Sequence, residues 1–282
     1  MVEVLSGGMH TTIQDMGRFG YRAQGVPVSG VMDRFSARLS NKLLGNAEGA
    51  AVMEITHIGP VLRFTQPTLI AITGAGFSPT CNDVEIPLNT RVLVAADAVL
   101  KFGLPNYGLR AYMAVLGGFQ TEYIMGSYSF YEGVTQKTSL TSGDVLPILA
   151  IPLAKEKTTA SVKIDRTVFE NRYLEVLKGA EFDQLSKSFQ EKLVRTSAVV
   201  SSKSNRMAYL LEGFQGIKAS EIITAPVQPG TVQLMPSGHC AVLMRDAQTT
   251  GGYARILQLT EGAINILAQK RAGDQVEFYL KE

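Results

Sequence analysis

Short runs of β-branched and alternating apolar residues, separated by turn residues, dominate the sequence. Breaks such as Gly59-Pro60 and Gln66-Pro67 divide these runs. Strands at a regular spacing of about ten residues are typical of barrels and sandwiches, and not of alternating βαβ units. The predicted strands are Val52–Ile55, Val61–Phe64, Leu69–Thr73, Arg91–Ala95, Val99–Phe102, Tyr209–Leu211, Thr231–Leu234, Ala241–Met244, Arg255–Leu259 and Gln275–Leu280.

Helical periodicity is confined to three short segments. The first has apolar residues every three or four positions, at Met32, Phe35, Leu39 and Leu43. Asp33 stands where an N-cap is expected, and Gly45-Asn46 stands where the helix should end. A second stripe has the same step, at Phe182, Leu185, Phe189 and Leu193, and a third helix is predicted for Glu261–Gln269. We interpret all three stripes as core packing.

A weak internal repeat indicates two related β-modules. Ala96–Phe102 resembles Gly273–Phe278, and Gly143-Asp144-Val145 is a shorter copy. In each copy an Asp in a tight turn precedes a strand, so turn chemistry alone also explains the likeness. We place the boundary in the polar stretch Lys155–Ala160, which gives modules of residues 1–155 and 156–282.

Composition narrows the class of protein. With 282 residues, 45% hydrophobic and 18% charged, the chain is globular and has one large or two medium domains. A net charge of +2 argues against nucleic acid as a partner. Cys81 and Cys240 lack a CxxC spacing and are interpreted as apolar filler in a reduced protein. The start of the sequence lacks a signal-peptide pattern, and no apolar run reaches the roughly 18 residues of a membrane helix. We therefore expect a cytoplasmic protein with no membrane partner.

The common catalytic signatures are absent from the sequence. It has no GxSxG, HExxH or GxxxxGK[ST] motif. His10, His57 and His239 have no metal-ligand spacing, so no metal site is predicted. In a strand through Glu54 and His57 the two side chains would point to opposite faces, which argues against a dyad. We interpret the histidines as structural or surface residues.

Two segments have the density of polar residues expected of a site. The first, Thr11–Asp33, is loop-like and glycine-rich and contains Asp15, Arg18, Tyr21 and Asp33. Glycines let backbone N–H groups approach a ligand, and the Arg18 fork suits a carboxylate or phosphate. The alternative is an ordered surface loop with an Asp15–Arg18 ion pair.

The second segment, Met244–Tyr253, runs from a strand into a turn. The turn holds a carboxylate, an amide, two hydroxyls and two glycines, at Asp246, Gln248, Thr249, Thr250, Gly251 and Gly252. These donors and acceptors suit a small polar ligand, and the alternative is a glycine-rich hairpin tip.

The same two segments resemble the N-terminal and C-terminal signatures of the KipA family. This family includes the C subunit of bacterial 5-oxoprolinase and the carboxyltransferase region of urea carboxylase, once called allophanate hydrolase subunit 2. Further matches keep their order over nearly the whole chain, at Leu44-Gly45-Asn46, Glu48–Ala51, Glu54-Ile55-Thr56, Gly117-Gly118-Phe119, Ser142-Gly143-Asp144, Asn205-Arg206-Met207, Leu211-Glu212-Gly213 and Ala272-Gly273-Asp274. Three positions depart from the family pattern: Tyr128 replaces an arginine, Phe130 replaces a polar residue and Ala254 replaces a proline.

The resemblance implies a mainly β fold of cyclophilin-like β-barrel modules with a few short helices. It also implies one component of an ATP-dependent 5-oxoprolinase, which hydrolyses 5-oxo-L-proline to L-glutamate with a KipI-like B subunit and an A subunit. ATP is the implied cofactor, in this chain or elsewhere in the complex. One alternative is a carboxyltransferase acting on urea or a related amide with a separate biotin carrier. Another is a regulatory antagonist that binds a KipI-like kinase inhibitor.

Roles for individual residues are transferred onto the matching positions. We expect catalytic roles for Arg18, Asp246 and Gln248. Of these, Arg18 and Gln248 are the expected donors to the charge that develops on an attacked amide. The residues expected to bind substrate are Asp15, Tyr21, Asp33, Glu54, Arg206, Thr249, Thr250, Gly251, Gly252 and Tyr253.

Overall fold

Two antiparallel sheets share one apolar core in the first of two units into which the chain divides. The computed structural model describes residues 1–150, 161–217 and 221–281. Its first unit comprises Met1–Arg18 with Ser29–Phe169, and its second comprises Phe19–Val28 with Glu170–Glu282. The boundary predicted between residues 155 and 156 lies outside the described residues and stays a prediction.

The described residues of the first unit form eleven strands and one long helix, and the short helix α2 (Thr167–Glu170) begins in its last residues. They are β1 (Val2–Ser6), β2 (His10–Gln14), α1 (Arg34–Leu44), β3 (Val52–Thr56), β4 (Val61–Phe64), β5 (Thr68–Gly74), β6 (Thr80–Cys81), β7 (Val84–Glu85), β8 (Arg91–Val94), β9 (Val99–Lys101), β10 (Arg110–Val115) and β11 (Val145–Leu146).

The centre of the five-stranded sheet of this unit is buried on both faces. Its order is β2-β3-β10-β5-β8, and the other sheet runs β11-β1-β4-β9-β6-β7. Alternate residues of a strand point to opposite faces, so Met113 joins the core shared with the second sheet while Tyr112 packs beneath α1. This explains why all six residues of β10 are buried.

Helix α1 covers the outer face of that sheet and begins and ends where its sequence predicts. The Asp33 carboxylate accepts hydrogen bonds from the Ser36 backbone N–H at 3.1 Å and from the Ser36 hydroxyl at 2.6 Å. Gly45 ends the helix at φ 72°, a left-handed conformation that glycine adopts without steric cost. Capping satisfies backbone groups that the first and last turns leave without partners.

A closed seven-stranded barrel forms the second unit. Its strand order is β12-β19-β16-β17-β14-β13-β20, and β20 closes the ring on β12 in parallel, with Leu174 opposite Phe278. A separate ribbon pairs β15 with β18. The elements are β12 (Tyr173–Lys178), α3 (Lys187–Arg195), β13 (Ala198–Val200), β14 (Ala208–Glu212), β15 (Ala225–Pro226), β16 (Thr231–Leu234), β17 (Cys240–Leu243), β18 (Thr250–Gly251), β19 (Ala254–Leu259), α4 (Glu261–Ala268) and β20 (Gln275–Leu280), with 3-10 turns at Arg22–Gln24 and Phe182–Gln184.

The predicted mainly β fold with a few short helices is confirmed, and the closed barrel is the second unit. Each predicted strand is present to within a residue or two of its ends. Helix α4 matches its prediction, and both cysteines are free, with Cys240 buried. Among the described residues no helix has the length and the hydrophobicity to cross a membrane.

Three local predictions are wrong. The start of the loop-like segment is strand β2, because the β-branched Thr11, Thr12 and Ile13 fit a buried sheet. Strand β3 ends at Thr56, and His57 turns away from it at φ 61°, so the strand geometry assumed for Glu54 and His57 stops one residue short. The stripe from Phe182 is a 3-10 turn followed by α3, which starts at Lys187 with Ser186 as its cap.

Replacing the cap of α1 tests the capping argument. We expect Asp33→Ala to lower the free energy of unfolding by about 1–2 kcal/mol, because the Ser36 N–H and hydroxyl lose their acceptor. Asp33→Ser keeps a capping oxygen and should recover most of the loss. Urea unfolding of the purified chain measures both, and equal stabilities for the alanine and serine variants would contradict a capping role.

Candidate functional site

A cavity of about 740 Å³ opens in the second unit beside the β15–β18 ribbon. Its volume lies within the range of small-molecule sites. Two predicted substrate-binding residues, Thr249 and Thr250, line it. Three cationic side chains also line the cavity. Within the part of the chain that the structure describes, no residue of the lining carries a carboxylate. The lining residues are Arg22, Ala23, Gly25, Lys178, Gly179, Ala180, Pro226, Val227, Gln228, Thr231, Thr249, Thr250, Arg255, Leu257 and Gln258.

Arg22 is held in the cavity wall by backbone carbonyls. It begins a 3-10 turn that Gly25 ends in the left-handed region at φ 81°. Its Nη2 donates to the Val227 carbonyl and, at 3.4 Å, to the Thr249 carbonyl. Within the described residues no carboxylate pairs with Arg22, so its positive charge is not balanced locally.

Arg255 is the second guanidinium of the wall and is balanced by a carboxylate. Its Nε and Nη2 donate to the two oxygens of Glu181 at 2.9 and 2.7 Å, and its Nη1 donates to the Pro226 carbonyl at 3.2 Å. Hydrogen bonds from the Arg255 side chain hold the pKa of Glu181 below its ordinary value. This pair ties the start of β19 to the turn after β12.

Lys178, the third cation, stands at the exposed end of β12. Its Nζ lies 3.3 Å from the Asp183 carboxylate, and both side chains are more than half exposed. Solvent screens such a pair strongly, so it adds little to the energetics of the cavity.

The glycine-rich segment owes part of its composition to packing. Gly251 pairs with Ala225 in the ribbon, and a Cβ atom there would stand 2.5 Å from Nε2 of the buried Gln233. Gln233 in turn donates to the Tyr253 carbonyl at 3.4 Å. Gln248 and Tyr253 are exposed, and Gly252 is half-buried. The described cavity lining does not include Gln248, Gly251, Gly252 or Tyr253.

The structure brings together two of the predicted residues, Arg206 and Asp246, as an ion pair. Nε and Nη2 of Arg206 donate to the two carboxylate oxygens of Asp246 at 2.7 and 3.0 Å. The Asp246 N–H also donates to the Arg206 carbonyl. The pair fixes the turn that follows β17, and the catalytic role predicted for Asp246 stays a prediction.

In the first unit, Asp15 and Arg18 hold the same stretch of irregular backbone. The Asp15 carboxylate accepts from the Ser127 and Ser129 hydroxyls at 2.6 and 2.7 Å and from the Tyr128 N–H at 2.8 Å. Arg18 is fully buried and donates to the carbonyls of Ile124 and Ser129. These contacts give both residues a structural role. A role in catalysis or binding stays a prediction.

Glu54 and Asp33 also lie buried in the first unit, around Tyr112. Glu54 accepts from the Met32 N–H at 2.7 Å and lies 3.8 Å from the Arg110 guanidinium. Tyr112 accepts from the Asp33 N–H at 2.8 Å. Burial, with added repulsion from the Glu54 and Asp33 charges, raises the pKa of Tyr112 well above its ordinary value. The tyrosine therefore stays neutral.

The predicted residues are divided between the two units. Asp15, Arg18, Asp33 and Glu54 belong to the first unit, and the others belong to the second. The half-buried Tyr21 precedes the turn that carries Arg22. Sequence reasoning did not select Arg22, Lys178 or Arg255 as site residues. Arg22 directly follows the matched Tyr21, and Arg255 lies two residues after the matched Tyr253, which is the one local signal available.

The carboxyltransferase domain model, subdomains A and B, matches residues 24–280, and the chain belongs to this family. The chain is 34% identical to the 5-oxoprolinase C subunit of Escherichia coli strain K12, over 99% of this chain and 90% of that protein. The crystal structure of TTHA0988 matches with a TM-score of 0.88 and 30% identity, over 99% of this chain and 55% of that one. The urea carboxylase of Kluyveromyces lactis matches with a TM-score of 0.86 and 27% identity, over 98% of this chain and 27% of that one. The chain thus spans about half the length of the first solved structure and about a quarter of the second.

Neutralising Glu181 tests the electrostatics of the cavity wall. We expect Glu181→Gln to lower the free energy of unfolding at pH 7 by about 2 kcal/mol, between the values for exposed and buried pairs. Because the pKa of Glu181 is lowered by folding, its contribution is present above the unfolded pKa of about 4.3 and disappears as the pH falls through the folded value. The difference from the wild type should therefore be smaller at pH 3 than at pH 7 in urea unfolding.

The control for this test is Asp183→Asn, which removes the exposed partner of Lys178 and should leave stability unchanged at both pH values. A Glu181→Gln variant as stable as the wild type at pH 7 would contradict the argument.

Proposed function

We propose that this chain is the C subunit of an ATP-dependent 5-oxoprolinase, which hydrolyses 5-oxo-L-proline to L-glutamate. The proposal is carried by the match to the E. coli 5-oxoprolinase C subunit, which extends over 99% of this chain and 90% of that protein. A match of this extent leaves no large part of either chain unaccounted for. The partners under this proposal are a KipI-like B subunit and an A subunit, and the compartment is the cytoplasm.

The residues of this chain are proposed to bind the lactam and to stabilise charge on it. Opening the ring requires attack on a resonance-stabilised amide, and negative charge develops on the amide oxygen. Gln248 offers an exposed amide next to the Thr249 and Thr250 hydroxyls, and hydrogen-bond donors of this kind stabilise the charge that develops on the amide oxygen.

Among its described residues, the cavity of the second unit lacks the groups expected of an ATP site. A bound triphosphate brings Mg²⁺, which is held by carboxylate oxygens, and no carboxylate side chain lines the described cavity. The sequence also lacks a phosphate-binding glycine loop. We therefore place ATP elsewhere in the complex and assign it no step on this chain.

A second candidate function is transfer of a carboxyl group to urea or a related amide. The likeness to Kluyveromyces lactis urea carboxylase favours it, with a TM-score of 0.86. This function requires biotin on a separate carrier protein. Capture of a biotinylated carrier together with urea-dependent turnover would distinguish it from the first.

Reconstitution of the complex tests the proposed function. The chain is co-expressed with candidate A and B subunits, and glutamate and ADP are measured after 5-oxo-L-proline and ATP are added. We expect release of both products in a fixed ratio, and no release when this chain is omitted. An assembled complex that releases neither product would refute the proposal.

Alanine variants test the catalytic residues in that complex. Gln248→Ala should abolish turnover while the complex still assembles, because its exposed amide is assigned to the developing charge. Arg18→Ala should also lose turnover, and its stability should fall because the buried Ser129 carbonyl and the partly buried Ile124 carbonyl lose their donor. Gln215→Ala, another exposed glutamine, is the matched control. Normal turnover in an assembled variant excludes the altered residue from catalysis.

A further inference from the structure

We propose that the cavity of the second unit binds the carboxylate group of a small substrate, with Arg22 as its anchor. The anion site follows from the cavity itself, whereas the choice of 5-oxo-L-proline as the ligand rests on the proposed function. Arg22, Thr249 and Thr250 carry the inference.

The first step is the charge of the cavity. Arg255 is paired with Glu181, and Lys178 faces solvent near Asp183. Arg22 has no carboxylate partner in the described part of the chain, so it gives the wall one unbalanced positive charge. A guanidinium in a recess interacts more strongly with an anion than one on an open surface, because less water screens it.

The second step is the hydrogen-bonding capacity that Arg22 retains. Its Nη2 is occupied by the Val227 and Thr249 carbonyls. Its Nε and Nη1 donate to no group in residues 1–150, 161–217 and 221–281. The carbonyls fix the plane of the guanidinium, so these donors are oriented before any ligand arrives. Orientation in advance reduces the entropy lost on binding.

The third step concerns the neighbouring hydroxyls. The Thr231 hydroxyl is occupied, because it donates to Gln258 at 2.9 Å and accepts from the Gln228 N–H. The side chains of Thr249 and Thr250 make no hydrogen bond to another described residue, and both line the cavity. They can therefore donate to a ligand that Arg22 holds.

These features select a carboxylate over a phosphate group. One unbalanced guanidinium matches the single charge of a carboxylate, and the planar fork matches its two oxygens. A phosphate group brings more charge than the wall can balance. 5-Oxo-L-proline combines one carboxylate with a neutral lactam ring and is small enough for the cavity.

Binding to the isolated full-length chain tests the inference, with 5-oxo-L-proline, 2-pyrrolidinone and inorganic phosphate as probes. 2-Pyrrolidinone is the same lactam ring without the carboxylate. Isothermal titration calorimetry should show 5-oxo-L-proline binding that weakens with added salt, and at least about tenfold weaker binding of 2-pyrrolidinone. No binding of 5-oxo-L-proline, equal binding of the two lactams, or tighter binding of phosphate would overturn the proposal.

Variants locate the binding in this cavity. Arg22→Gln should weaken 5-oxo-L-proline binding about tenfold, and Arg63→Gln, at an exposed arginine paired with Glu3, should leave it unchanged. A correctly folded Arg22→Gln variant that binds as the wild type does would overturn the proposal. If that variant fails to fold, Thr250→Val decides in its place, and unchanged affinity there would overturn it.

This outcome is separate from that of the proposed function. If the complex turns over 5-oxo-L-proline while the Arg22→Gln variant binds it normally, the proposed function is supported and this cavity is excluded as the carboxylate site. Arg22-dependent binding in a chain whose complex is inactive would support the site and refute the function.

Discussion

Backbone that lies buried outside any helix or strand needs hydrogen-bond partners, and in this protein charged side chains supply many of them. Asp15 and Arg18 together hold the stretch from Ile124 to Ser129, the carboxylate through N–H and hydroxyl groups and the guanidinium through carbonyls. A neutral side chain could satisfy fewer of these groups, and each group left without a partner costs about 1–3 kcal/mol. This requirement accounts for charged residues inside a glycine-rich segment.

The same requirement separates supporting residues from residues that can act on a ligand. Asp15, Glu54 and Asp246 have their carboxylates engaged by the protein itself. Arg22 differs, because neutral carbonyls position it and leave its charge unbalanced. A charged group that is fixed in place but not neutralised costs stability unless a ligand or solvent compensates it. Because Arg22 is half-buried, solvent compensates part of this cost, and a bound anion would compensate the rest.

Local features of this fold could be predicted from sequence, and features that depend on distant contacts could not. The N-cap of α1 and the turns at Asp144 and Asp274 are short-range, since each of these Asp carboxylates accepts from a backbone N–H three residues away. The sequence pattern does not predict strand β2, because the glycines that follow it indicate a loop, although its β-branched residues fit the sheet. Closure of the barrel by β12 on β20 requires pairing across about a hundred residues, and no local pattern encodes it.

The candidate site, too, could be predicted from sequence only where it depends on neighbouring residues. Thr249 and Thr250 were selected from the density of polar groups in their own segment, and they do line the cavity. Val227 and Thr249 lie more than two hundred residues after Arg22 in the sequence, and only the tertiary fold brings their carbonyls into contact with it. The charge of the cavity is therefore a property of the tertiary structure. That charge also ranks the two candidate substrates, since a guanidinium gains much from the carboxylate of 5-oxo-L-proline and little from neutral urea.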